Sequence, residues 1–229
     1  MGCCSSNNNK FYYCSSSIGK KQLMAISAVM LVGFSIAHMI GNVLIYFGPK
    51  YINLYGYHLT SNLLLPLAEL LLASIFIVHI IFAVILVVEN YLARPVKYHM
   101  KVNSGRGANF ASATMPWTGA IMLVFLIFHL INFRFGTIYM TSYDGIEVRD
   151  VYRLLIEFFS NPLNLVLYVT AMIAFAFHLG HGIQSIFQTV GINSPKYTPC
   201  IQKLCLLLSL VLSVMFSTYP IWSYIKSIQ

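Results

Sequence analysis

Long apolar runs broken by short polar stretches set the pattern of this chain. Five runs are long enough to cross a hydrocarbon layer of about 30 Å, which takes about 20 helical residues. They fall near Gln22 to Tyr46, Leu63 to Val88, Ala113 to Phe135, Leu163 to Val190 and Leu204 to Tyr224. Lipid supplies no water to satisfy backbone groups, and no alternating polarity marks a barrel strand, so each run is predicted to be a helix. The expected fold is all-α: an integral membrane bundle of five transmembrane helices over residues 22–229, behind a polar tail over residues 1–21.

Composition agrees with that pattern, since only 9% of the 229 residues are charged against about 25% in a soluble domain. The net charge of +8 sits in short loops between apolar runs, which argues against nucleic acid as a partner. Its distribution predicts topology. Lys10, Lys20, Lys21, Arg94, Lys97, Lys101, Arg106, Lys196 and Lys203 fall on one side, and Lys50, Arg134, Arg149, Arg153 and Lys226 on the other with Asp144, Glu147, Asp150 and Glu157. The richer side, with the amino terminus, is expected in the cytoplasm. No short apolar core with a cleavage site precedes the first span, and no Arg-rich presequence is present, so a bacterial inner membrane is expected. The opening Met1-Gly2-Cys3-Cys4-Ser5-Ser6 fits a myristoylation pattern with cysteines open to palmitoylation. A chain with five spans gains little from such an anchor, and a polar tail explains the segment as well. Five cysteines at 3, 4, 14, 200 and 205 form no CxxC pair, which leaves no disulfide framework, zinc ribbon or covalently attached haem in view.

Ionisable side chains inside a bilayer are costly and mark function. Four histidines fall inside predicted spans, each on a different helix: His38, His79, His129 and His178. One buried histidine alone reads as a packing residue, but four at matching depths do not. At 1.5 Å per residue, His38, His79 and His129 lie about 24 Å along their helices and His178 about 22 Å. Successive helices run in opposite directions. His38 and His129 therefore share an outer level, and His79 and His178 share an inner one about 12 Å away.

Two facing imidazoles are what six-coordinate haem iron requires, because the porphyrin supplies the other four nitrogens. Zinc or copper would need three or four ligands at one level. Gly33, Ala37, Gly41, Ala83, Gly119, Ala174, Gly180 and Gly182 would admit a flat macrocycle, and close helix packing uses the same residues. Two stacked bis-histidine haems would form an electron path across the membrane. Cytochromes b of the quinol-cytochrome c reductase type and the membrane subunits of nitrate reductases place two ligands on a single helix, whereas here each helix carries one.

The stretches Ala37-His38-Met39-Ile40-Gly41-Asn42, Val78-His79-Ile80, Ala113-Thr114-Met115-Pro116-Trp117-Thr118-Gly119, Phe128-His129-Leu130 and Phe177-His178-Leu179-Gly180-His181-Gly182-Ile183-Gln184-Ser185 carry a resemblance. With ligand intervals of 41, 50 and 49 residues, the chain resembles the five-helix, di-haem cytochrome b anchors of succinate dehydrogenases and fumarate reductases over residues 18–225. The resemblance implies two non-covalent b haems, with His79 and His178 on the proximal one and His38 and His129 on the distal one. It also implies flavoprotein and iron–sulfur partner subunits on the cytoplasmic face and exchange of electrons with a membrane quinone, menaquinone. The chain itself would hold no catalytic residue for succinate. Some fumarate reductases of this kind carry a glutamate two residues before the fourth ligand; Ala176 stands there, which favours succinate oxidation. His181 reads as a propionate partner or a packing residue.

For the quinone, Glu69 is the carboxylate well inside a span, about 9 Å deep, and is the candidate proton handler; a structural carboxylate tied to a neighbouring helix is the other reading. His58, with Tyr55 and Tyr57 in an outer loop, is a second candidate, although an interfacial aromatic belt accounts for the tyrosines too. Arg94, Lys97, Lys101 and Arg106 on one side and Arg134, Arg149 and Arg153 on the other could pair with propionates or partner subunits. A quinol:fumarate reductase anchor running in reverse is the alternative within the family. A haem-free transporter with a histidine proton relay is the alternative outside it.

Overall fold

The computed structural model describes residues 16–93, 110–192 and 194–229. The lipidation pattern at residues 1–6, Lys10, the first three cysteines, His99 and the basic loop residues Arg94, Lys97, Lys101 and Arg106 lie outside the described residues.

Five helices carry the architecture, with α1 spanning Ser17–Asn42, α3 Leu65–Leu92, α4 Phe110–His129, α6 Pro162–Thr189 and α7 Thr198–Ser227. Each belongs to a segment long and apolar enough to cross a membrane, as the hydrophobic runs predict. Ser16 caps α1 by accepting from the Gly19 N–H at 3.0 Å, and Asn161 caps α6 by accepting from the Leu163 N–H at 2.9 Å, each satisfying a donor left free by the first helical turn. α1 tightens into a 3-10 turn over Val43–Phe47, and α4 continues as a π turn over Leu130–Arg134. At the exit of that turn a Cβ on Gly136 would lie 1.9 Å from the Asn132 carbonyl oxygen, so only glycine fits.

The helices pack in a definite order. α3 lies against α1, α1 against α6, and α6 against α4, while α7 covers the outside of α6. α3 and α4 make no extended contact. Leu179 and Ile183 of α6 pack on Cys205 and Leu212 of α7 in the main core. There Gly180 lets the helices close until its missing Cβ would sit 3.0 Å from Ser209 Oγ, the small-residue contact that substitutes for a hydrophobic driving force within lipid. No residue of α3 is buried, as befits a helix presenting most of its surface to the bilayer. Lys20 and Glu89 pair at the side where α1 begins.

The opposite side carries structure that the hydrophobic pattern did not predict. α2 (Pro49–Thr60), an antiparallel hairpin of β1 (Met140–Tyr143) and β2 (Ile146–Arg149), and α5 (Val151–Phe159) form a cap over the helix ends. The hairpin turns through Asp144 and Gly145, both with positive φ at 52° and 81°, which suits the two-residue turn whose twist matches that of paired strands. Asn53, 1% exposed, fastens the cap. Its amide donates to the Tyr143 hydroxyl at 3.2 Å and to Asp150 Oδ1 at 2.9 Å, and its carbonyl accepts from the Tyr152 N–H at 3.0 Å. Asp150 in turn caps α5 through the Arg153 N–H at 2.9 Å. On the same side Tyr219 of α7 donates to the Met39 carbonyl of α1 at 2.7 Å.

Asn53→Ala is expected to loosen this cap by about 2 kcal/mol, since it removes three buried hydrogen bonds. Hydrogen exchange should speed up across the hairpin and α5 and remain slow in the spanning helices. A second prediction concerns acid. Lys50 lies 2.9 Å from Asp144, and its hydrogen bond and then its charge hold that carboxyl below the usual carboxylate range. The contribution of such a group is present above its ordinary pKa and lost as pH falls through the lowered value. Asp144→Asn keeps a residue suited to the turn and removes the charge, so it should abolish the acid-induced loosening of the hairpin measured by exchange between about pH 5 and pH 2.

Candidate functional site

The packing order makes a four-sided bundle of α1, α3, α4 and α6, whose diagonals run from α1 to α4 and from α3 to α6. The four histidines lie on those diagonals. His38 of α1 faces His129 of α4 with ring centroids 6.0 Å apart, and His79 of α3 faces His178 of α6 at 6.4 Å. Depth along antiparallel helices predicts the same pairs.

The separations can be tested against a bis-imidazole iron site. With a metal–nitrogen bond of about 2 Å, two axial imidazoles have ring centres about 6 Å apart, so both pairs fit the group. Among the described residues, no group of three or more His, Cys, Asp or Glu side chains gathers in one place. The donor set therefore suits a metal whose remaining ligands arrive with it.

Hydroxyl groups support the rings. Ser27 Oγ lies 3.3 Å from His79 Nδ1, Thr118 Oγ1 3.3 Å from His178 Nδ1, and the Tyr168 hydroxyl 3.3 Å from His129 Nδ1. Each comes from a different helix than the histidine it meets. The α3–α6 pair thus has small aliphatic hydroxyls beside both rings. The α1–α4 pair is set among aromatics: His38 stacks with Phe34 at 5.5 Å and lies 5.9 Å from Phe216, while Phe125 and Phe133 flank His129. Tyr168, 6% exposed, packs among Phe125, Phe128, Phe133, Phe158 and Phe159.

The small residues divide between the two roles that sequence left open. A Cβ on Gly119 would meet His178 Cε1 at 3.4 Å, so this glycine makes room for a histidine ring. Gly41 and Gly180 admit Tyr55 and Ser209 and serve packing, whereas a Cβ on Gly33 or Gly182 would meet no heavy atom within 4 Å.

Glu69 is tied to Arg134, which donates through Nε and a terminal nitrogen at 3.0 Å each. This bidentate pair joins α3 to the end of the π turn on the cap side, between the two helices that do not pack along their lengths. His58 is exposed on α2, not in a loop, with its ring 5.6 Å from that of Tyr57. The three cap-side arginines are no longer equivalent. Arg134 is committed to Glu69; Arg153 stacks 4.4 Å over Tyr139 and reaches Glu157 at 3.8 Å. Arg149 donates to the carbonyls of Phe133 and Thr137, and its buried Nε has no partner. Burial, with the charge of Arg134 second, pulls its pKa down, which is the condition an added anion would relieve. His181 also keeps a buried Nδ1 without a partner.

Ser27, Thr118 and Tyr168 did not stand out in the sequence reading. A hydroxyl in a span bonds its own helix in most places, and nothing local marks those that also meet a ring.

No curated protein matches the chain, and neither does any solved structure. The family model described as succinate dehydrogenase/fumarate reductase transmembrane subunit matches residues 90–216, more than half of the chain, including His129 and His178. With five apolar helices around paired histidines, this multi-pass membrane protein belongs to the succinate dehydrogenase/fumarate reductase transmembrane subunit family.

Proposed function

We propose that the chain is the membrane-anchor cytochrome b subunit of a succinate dehydrogenase, carrying electrons between flavoprotein and iron–sulfur partner subunits and a membrane quinone of the menaquinone type. The observation that carries the proposal is the placement of four histidines from four helices as two ring pairs at 6.0 and 6.4 Å. Haem b, when bound, supplies the one-electron couple that protein side chains at this depth lack. His79 and His178 would hold one haem and His38 and His129 the other. Arg149 and His181, with buried nitrogens open to an acceptor, are the candidates to hold propionates. Ala176 beside the fourth ligand favours succinate oxidation over fumarate reduction. The excess of basic residues on the side where α1 begins supports an amino terminus inside the cell, in what we take to be a bacterial inner membrane.

For the quinone we propose the cap-side mouth between α3 and α4, where Glu69 is the first carboxylate met by a headgroup entering from lipid. Its pairing with Arg134 fixes the orientation of the carboxylate, and opening of that pair would free it as the proton-exchanging group of the site. His58 on α2 offers a second proton-exchanging group nearer the surface.

A pyridine haemochrome assay on the purified chain should give about two haem b per polypeptide. None in folded protein would return the histidines to a proton relay. His79→Ala should lose one haem and keep the other in part, and retention of both would overturn the pairing. In the intact complex, succinate-to-quinone turnover should exceed quinol-to-fumarate turnover; the reverse would make this a fumarate reductase anchor. Glu69→Gln should leave haem content unchanged and slow quinone-dependent turnover by about 100-fold, the usual scale for losing a proton-transfer group.

A further inference from the structure

The inner histidine pair differs from the outer one in what its Nδ1 atoms meet, and counting hydrogens turns that difference into a chemical assignment. A serine or threonine hydroxyl has one hydrogen and two lone pairs. Ser27, 4% exposed, donates its hydrogen to the Met24 carbonyl at 2.9 Å, and its oxygen stands 3.3 Å from His79 Nδ1. Thr118, 8% exposed, donates to the carbonyls of Thr114 and Met115 at 3.1 and 3.2 Å, and its oxygen stands 3.3 Å from His178 Nδ1. In both cases the hydrogen is spent on a carbonyl of the hydroxyl's own helix. What remains toward the imidazole is a lone pair, which only a protonated Nδ1 can use.

We propose that Ser27 and Thr118 are positioning residues that hold His79 and His178 in the tautomer with hydrogen on Nδ1, leaving each Nε2 as an unprotonated donor. A neutral imidazole carries one N–H, and the bond made by one ring nitrogen decides the state of the other. The opposite arrangement, a hydroxyl donating into a bare Nδ1, would put hydrogen on Nε2 and block it as a metal ligand. The two hydroxyls reach the rings across helix boundaries, from α1 to α3 and from α4 to α6, so they also fix ring orientation about each Cβ–Cγ bond. Accepting from Nδ1–H raises the basicity of the ring and favours the more positive state of a metal bound at Nε2. This inference rests on the reading that the pair holds haem.

The test uses the assembled complex in membranes, with wild type beside Ser27→Ala, Thr118→Ala, Ser27→Thr and Thr118→Ser. Haem b content, the two midpoint potentials and the low-temperature electron paramagnetic resonance of the ferric haems are measured. The alanine variants are expected to keep two haems and to raise one midpoint potential only, with a ferric-over-ferrous preference weakened about threefold, or about 30 mV for a one-electron couple. The Ser27→Thr and Thr118→Ser variants should stay at the wild-type value. Alanine variants that hold two haems with both potentials and both ferric signals unchanged would overturn the proposal, as would an equal shift of both haems. Loss of one haem in an alanine variant supports it where the hydroxyl-keeping variant at that position restores the haem, and counts against it where that variant loses the haem as well. A wild-type complex without haem b would instead overturn the underlying functional reading.

Discussion

An imidazole inside hydrocarbon has no water to bond, and this requirement organises the bundle. Four helices each carry one such ring, and the rings meet in pairs across the two diagonals of a four-sided arrangement. A diagonal pairing has a structural consequence that a pairing of neighbours would not. Adjacent helices bury their shared faces in ordinary packing, whereas diagonal partners face each other across the middle of the bundle through their rings. The small residues follow the same logic: Gly180 is used where α6 and α7 must touch, while Gly119 is used where a ring must fit.

The spanning helices were legible in the sequence because a membrane imposes a length and a composition that few other environments do. The pairing of the histidines was legible for a related reason: rigid helices running in alternate directions convert residue number into depth. Both inferences rest on periodic geometry. The cap was not legible in the same way, because its elements are short and none has an apolar run long enough to span; α5, with Leu154-Leu155-Ile156 and buried Leu154 and Phe159, is amphipathic over only nine residues. Asp144-Gly145 between Met140 and Arg149 did carry a hairpin signal, since both positions need positive φ. A search tuned to long hydrophobic runs passes over four-residue strands. Asn53 shows the remaining gap, since its three partners lie about 90 or more residues further along the chain.

The groups supporting the histidines were hidden for another reason. Ser27, Thr118 and Tyr168 lie 52, 60 and 39 residues from the rings they meet. A serine that bonds back to its own helix looks the same in sequence as one that also reaches across. Ser35 and Ser74, which bond the Leu31 and Leu70 carbonyls at 2.8 Å, have the same local chemistry as Ser27. Only the helix packing distinguishes them. The arginines show the converse. Three candidates for one role were indistinguishable by type and position, and the structure separates them by what each already holds.

The two histidine pairs also sit in different media, and that difference bears on how one chain could run two otherwise identical sites. At the α3–α6 pair, small hydroxyls place an oxygen 3.3 Å from each Nδ1. At the α1–α4 pair, Phe125 and Phe133 flank His129 and Phe34 and Phe216 flank His38, and one hydroxyl, that of Tyr168, meets a ring nitrogen, His129 Nδ1 at 3.3 Å. A lower local dielectric raises the cost of any net positive charge at a site, whereas a hydrogen bond that strengthens a ligand lowers the cost of positive charge on the metal. Under the proposed function, the two pairs would hold their metals in different media, with aliphatic hydroxyls at both rings of one and mostly aromatic carbon around the other. The difference comes from residues other than the four histidines, so under that proposal the tuning of two like-ligated sites would lie in the bundle's packing as much as in its ligands.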